Sequence, residues 1–226
     1  MSGPVPAGYD AVILAGGRSS RLNGEPKAEL EVGGEALLVR TLRAAHDAAY
    51  VAVAGPPSLA GLLSVSGETV LLVREDPPFA GPAAAVGAAL TAIGSSADRD
   101  GRARSPWTLV LACDMPEVQH AVPVLLAAAA ADPSRSVLAV DTAGKVQPLA
   151  GLYRTGSLLD AAAAGPDGLA NLSMFSMLAR VQWREVAVPE GSTADVDTWA
   201  DAGKWGIQPG TRTAAPPPGS AAAAKD

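Results

Sequence analysis

The chain has 226 residues and a net charge of −6; hydrophobic residues make up 48% of it and aromatic ones 4%. That length suits one α/β domain with a sizeable aliphatic core, while the acidic balance argues against a protein that tracks nucleic-acid phosphates, which needs a basic face. The single cysteine, Cys113, excludes an intrachain disulfide and disfavours a structural zinc site.

Neither a charged leader followed by an apolar segment nor an apolar run of about 18 residues is present, so a soluble, cytoplasmic protein is expected. After a lead-in containing Pro4, Pro6 and Gly8, residues 10–14 (DAVIL) suit a short strand buried on both faces. The strand runs into Gly16 and Gly17, where the missing Cβ atoms let backbone N–H groups approach an anion. Arg18, Arg21 and Lys27 place three cations around the same turn, within LAGGRSSRLNGEPK at 14–27. Strand, glycines and cations together predict phosphate binding. The turn is not a Walker A loop, for it lacks Gly-Lys-Ser/Thr, and it does not match GxGxxG.

Leu38, Leu42, Ala45 and Ala49 recur at helical spacing and predict an amphipathic helix over 36–49. Strands are expected at 50–54 and 69–73, with a short helix or turn at 57–63 between them. Pro82 opens a small-residue helix over 82–93, where its missing N–H costs nothing. A polar loop over 95–105 precedes a strand at 107–113 and a helix at 122–131. Further strands at 136–140, 147–153 and 181–188, with helices at 169–178 and 198–204, complete the pattern. Strands alternating with helices imply a mostly parallel sheet covered on both faces. From 208 to 226 the Gly-, Ala- and Pro-rich composition predicts a disordered tail.

Asp114 directly follows a predicted parallel strand, at the edge where such sheets bind ligands. Its residue type allows two roles: a ligand for Mg²⁺, which favours oxygen donors, or a cap for the helix beyond Pro116. Asp195 and Asp197 flank Val196 and share a side if that segment is extended. One of them could complete a metal site; Asp197 is equally suited to cap the helix that follows. His46 and His120 are the only histidines, and no hydrolase triad is discernible.

LAGGRSSRL, with Lys27 ten positions after Gly17, resembles the signature of the Rossmann-like nucleotidyltransferases, and most closely that of the molybdenum cofactor guanylyltransferases. Asp76 with Gly81-Pro82, CDMP at 113–116, QPLAGLYR at 147–154 and ADVDT at 194–198 agree in order, so the resemblance spans about residues 10–205. The form CDMP favours the guanylyl branch over the cytidylyl one.

The resemblance implies a Rossmann-like three-layer α/β/α sandwich, similar to the nucleotide-diphospho-sugar transferases, over residues 1–207. It implies transfer of GMP from GTP to the phosphate of the molybdenum cofactor, with Mg²⁺ as cofactor. Arg21 and Lys27 would then be catalytic, while Leu14, Ala15, Gly16, Gly17, Arg18, Lys27, Asp76, Gly81 and Asp114 would hold the nucleotide. Asp76 would sit near the base or ribose; a carboxylate there can accept from both N1–H and N2–H₂ of guanine. Asp114, with Asp195 or Asp197, would hold the metal. The implied partners are GTP, molybdopterin and the proteins that deliver it or mature molybdoenzymes, with neither nucleic acid nor a membrane.

Two residues depart from the family pattern: Pro26 replaces the usual Asp before the lysine, and Ala54 falls where some relatives carry Asn. Gln147, Pro148 and Arg154 face the acceptor or simply pack the sheet. A cytidylyltransferase, a transferase for sugar or alcohol phosphates, and a non-catalytic GTP-binding relative are the alternatives.

Overall fold

The computed structural model describes residues 8–17, 20–66, 70–163 and 168–208. The first strand, β1 (Tyr9–Leu14), is buried at every position. Its side chains alternate between two apolar layers: Tyr9, Ala11 and Ile13 enter one, Val12 and Leu14 the other. A period of two with both faces apolar marks a central strand of a sheet covered on each side.

A small hairpin of β2 (Glu31–Val32) and β3 (Glu35–Ala36) leads into α1 (Leu37–Ala44), β4 (Val51–Ala54), α2 (Ala60–Ser66) and β5 (Val70–Val73). Then come α3 (Pro82–Arg99), β6 (Trp107–Ala112), α4 (Val122–Ala131) and the hairpin of β7 (Ser136–Val140) with β8 (Val146–Arg154). The described part of the chain ends through α5 (Thr155–Ala163), α6 (Met174–Met177), β9 (Trp183–Ala187) and α7 (Trp199–Lys204).

The main sheet has seven strands in the order β5-β4-β1-β6-β8-β7-β9. β5, β4, β1 and β6 run parallel to one another, as do β7 and β9, while β8 is antiparallel to both β6 and β7. The expected three-layer, mostly parallel sandwich is what forms. One layer carries Leu38 and Leu42 of α1 and Leu125 of α4; the other carries Val86 and Leu90 of α3 and Met174 of α6. A third, smaller cluster joins Leu22, Leu30 and Leu37 to Val196, Ala202 and Ile207, so the end of the described chain closes over the turn that follows β1.

Several boundaries differ from the periodicity reading. The first helix stops at Ala44 instead of reaching 49. The segment read as a polar loop from 95 is helical through Arg99, because Ser96 and Ala97 are small enough to bury against the core. The helix expected over 169–178 contracts to the single turn of α6, capped by Ser173 Oγ, and a 3₁₀ turn at Leu178–Arg180. The Glu31–Ala36 hairpin and α5 were not expected at all. The predicted tail lies outside the described residues except for Gln208. No helix among the described residues is long and apolar enough to cross a membrane.

Candidate active site

The carboxyl ends of β1, β4, β5 and β6 meet at one edge of the sheet. Main-chain bonds carry the ladder just past the strands: Ala15 N–H donates to Ala54 O at 2.8 Å, Gly55 N–H to Val73 O at 2.9 Å, and Cys113 N–H to Leu14 O at 3.0 Å. The loops that leave the sheet there are thus fixed at their roots.

A cavity of about 580 Å³ opens on this edge. Beyond β1 and β6 it is lined by Gly16, Gly17, Arg21, Lys27 and Asp114, with Asp197 beside them. Beyond β4 and β5 it is lined by Pro56, Leu59, Glu75, Phe79, Gly81 and Pro82. One end is therefore charged and glycine-rich, the other largely apolar with one carboxylate. With strands ~4.8 Å apart, the three steps from β6 to β5 span ~14 Å, the scale of a nucleoside triphosphate.

Lys27 begins a 3₁₀ turn (Lys27–Glu29) anchored by buried Ala28. Its Nζ donates to Asp114 Oδ2 at 2.8 Å and also to Asp197 Oδ1. These residues stand 87 and 170 positions away in the chain. Burial alone would lower the Lys27 pKa, but the charges and hydrogen bonds of Asp114 and Asp197 outweigh it and hold the ammonium above its ordinary range. Val196 N–H donates to Asp114 O at 2.9 Å, which brings the Asp195–Asp197 segment against the end of β6.

Thr198, not Asp197, caps α7. Its Oγ1 accepts from Asp201 N–H while the Asp201 carboxylate accepts from Thr198 N–H, a reciprocal capping box. Asp197 therefore turns toward Lys27. Asp114 likewise meets Lys27, in place of the capping role its residue type also allowed. The loop after Asp114 is braced by Arg40 of α1, whose guanidinium donates to Pro116 O at 3.0 Å and to Glu117 Oε1 at 2.9 Å.

Asp195 does not line the cavity. Burial, then the charges of Asp197 and Asp114, push its carboxyl above the ordinary range, with Lys145 opposing them. Among the described residues no three His, Cys, Asp or Glu side chains converge into a ready ligand set. Asp114 and Asp197 converge on one cation at the cavity, that of Lys27. Such a pair suits Mg²⁺, which commonly takes one or two protein carboxylates and completes its shell with water and phosphate oxygens.

The remaining predicted residues divide. Leu14, Ala15, Gly16, Gly17, Arg21 and Gly81 all line the cavity. Arg18 lies outside the described residues. Asp76 is exposed and does not line the cavity; its neighbour Glu75 does. Of the two adjacent acids that leave β5, Glu75 is the one at the cavity wall. Arg154 sits at the opposite edge of the sheet, paired with Trp107 at the start of β6, and donates to Pro133 O. Because β8 runs antiparallel to β6, Leu149 within it lines the cavity, while Gln147, Pro148 and the terminal Arg154 do not.

Cys113 lines the cavity but is buried, and burial followed by the charge of Asp114 raises its thiol pKa, so it is no nucleophile. Neither histidine lines the cavity; His120 Nε2 lies 3.0 Å from Glu117. Sequence reasoning missed Glu75, Phe79, Pro56 and Leu59. Their only signal is position just beyond β4 and β5, at the edge where a doubly wound sheet receives ligands.

A mostly parallel sheet that sets a glycine turn and a lysine against an acid at the end of the adjacent strand has the form of a Rossmann-like nucleotide-binding domain. Residues 11–181 match the MobA-like NTP transferase domain, and the chain belongs to that family. It is 31% identical over 189 residues to a probable molybdenum cofactor guanylyltransferase of Opitutus terrae, covering 83% of this chain and 88% of that protein. A probable molybdenum cofactor guanylyltransferase of Synechococcus elongatus is 37% identical over 115 residues, 49% of this chain; the match spans about half of that relative, 52%.

Among solved structures, molybdopterin-guanine dinucleotide biosynthesis protein A from Archaeoglobus fulgidus superposes with a TM-score of 0.61 at 16% identity, covering 87% of this chain and 96% of that one. A 2-C-methyl-D-erythritol 4-phosphate cytidylyltransferase from Thermus thermophilus gives 0.59 at 21% identity, covering 88% and 97%. At these identities the likeness is one of fold.

Proposed function

We propose that this protein transfers GMP from GTP to the terminal phosphate of molybdopterin, in its molybdenum cofactor form, and releases pyrophosphate. The observation that carries the reading is the meeting of Lys27 with Asp114 at the charged end of a cavity long enough for a nucleoside triphosphate. The names of the relatives, each a probable molybdenum cofactor guanylyltransferase, support that acceptor.

In this reading a phosphate oxygen of the acceptor bonds to the α-phosphorus of GTP. The bond from that phosphorus to the bridging oxygen of the β-phosphate breaks, and pyrophosphate leaves with the electron pair. The protein's work is alignment and charge stabilisation. Backbone N–H groups at Gly16 and Gly17, with Arg21 and Lys27, face the triphosphate and the negative charge that gathers as the bonds exchange. Asp114 and Asp197 would hold Mg²⁺, which supplies Lewis-acid charge among the phosphate oxygens. No general base is required, because a phosphate nucleophile is already ionised at neutral pH. Two exposed histidines away from the cavity are consistent with that economy.

At the apolar end, Glu75 is the group suited to guanine. A carboxylate has acceptor capacity for both N1–H and N2–H₂, a pattern cytosine does not offer. Partners in this reading are GTP, molybdopterin and the proteins that deliver it or receive the finished cofactor, in the cytoplasm. Pyrophosphate release with each of the four nucleoside triphosphates, with and without molybdopterin, tests the assignment. Release that needs molybdopterin and is fastest with GTP is expected. Preference for CTP would instead assign the cytidylyl reaction.

A further inference from the structure

Phe79 is one of two large apolar side chains strongly exposed among the described residues, at 49%. It also has a left-handed backbone, with φ of +65°. For a non-glycine residue that conformation costs about 1–2 kcal/mol, and with about half of its surface exposed the side chain gains only part of the burial a core aromatic has. A glycine would remove the backbone cost, yet the chain places an aromatic there. Phe79 also lines the cavity, at the end beyond β4 and β5.

The surroundings hold this ring in place. Phe79 N–H donates to Glu75 Oε1 at 2.9 Å, which fastens the loop across its own width. The Arg74 guanidinium lies over the ring, 5.5 Å from its centroid, and constrains its plane. Just beyond, Asn171 N–H donates to Ala80 O, tying the far side of the loop to the segment before α6. A strained, half-exposed aromatic, its loop fastened at Glu75 and Asn171 and its ring under Arg74, stands at the rim of a nucleotide-sized cavity where it can meet a flat ligand.

We propose that Phe79 is a positioning and specificity residue: its ring is the platform on which the nucleobase of the bound triphosphate stacks. This rests on the reading of the cavity as a nucleoside triphosphate site. Phosphate groups go to the Lys27 end, so the base of the same molecule reaches the Phe79 end. There Glu75 supplies acceptors in the plane of the base and Phe79 supplies a face against it. Stacking on an aromatic side chain tolerates any base but favours the larger purine surface.

The test compares two probes by calorimetry in Mg²⁺ buffer: GTP, and inorganic tripolyphosphate, which has the charge without the base. Phe79→Gly removes the ring while relieving the backbone strain, so folding is preserved. Expected is GTP affinity lowered ~10-fold or more, tripolyphosphate affinity unchanged, and GTP affinity restored in Phe79→Trp. Equal GTP affinity in wild type and Phe79→Gly would overturn the platform and leave the transferase reading standing. So would a parallel loss of both probes, which would mark a general disturbance of the loop. Failure of wild type to bind any nucleoside triphosphate would overturn both readings together.

Discussion

Lys27, Asp114 and Asp197 show how much chemistry a single contact can organise. Each carboxylate sits at the end of an element that the fold must place there anyway, and one ammonium satisfies both. Asp195 is the contrasting case, a carboxylate outside the cavity lining whose burial and acidic neighbours outweigh Lys145. Its folded-state pKa is raised by burial and by its acidic neighbours, so ionising it opposes folding. That penalty is absent below the unfolded-state value near ~4, grows as pH rises from there, and is complete above the folded value. Asp195→Asn should therefore melt at a higher temperature than wild type at pH 7 in the presence of a chelator, with the difference shrinking as pH falls toward 3. A lower melting temperature at pH 7 would mean that Asp195 is favourably paired. At this scale the glycine turn and Lys27 were legible because they form one contiguous stretch. Glu75 was not, because two adjacent acids after a strand look alike until the twist of the turn decides which of them faces inward.

Elements explain why those residues arrive where they do. The capping box at Thr198 and Asp201 fixes the start of α7, and the residue just before it is Asp197. Capping and site geometry are thereby coupled. Thr198→Ala should cost about 1 kcal/mol of stability, lower the melting temperature by a few degrees, and weaken Mg²⁺-nucleotide binding by releasing Asp197. Unfolding curves and calorimetry on the same variant would check both effects; destabilisation with unchanged nucleotide affinity would uncouple cap from site. Strands were read from sequence nearly to the residue, since an apolar run of four to six has few other uses in a doubly wound sheet. Helices fared less well. Alanine, serine and glycine on α3 carry too little hydropathy contrast to show where the buried stripe ends, so Ser96 and Ala97 read as loop although they pack in the core. The short α6 and the Glu31–Ala36 hairpin depend on tertiary contacts that no local pattern records.

The whole molecule unites a charged end and an apolar end of one cavity by means of strand order. Neighbouring β1 and β6 carry the glycine turn and Asp114; β4 and β5, on the other side of β1, carry Pro56 and Glu75. That order is not written in any single segment, and neither is the reversal of β8, which sends Arg154 away from the cavity while Leu149 enters it. Alternation of strands and helices announces a layered fold; which strand lies beside which is settled by long-range pairing.

Transfer of a GMP unit onto a phosphate acceptor, the reaction proposed for this cavity, leaves a direct signature. The most direct measurement follows the α-phosphate: GTP labelled there, incubated with Mg²⁺ and molybdopterin, with products separated and counted. Label in a guanylylated pterin with stoichiometric pyrophosphate is expected, with a loss of at least ~100-fold in rate for Lys27→Ala. Label that stays in GTP, or that transfers equally well in Lys27→Ala, would contradict the proposal.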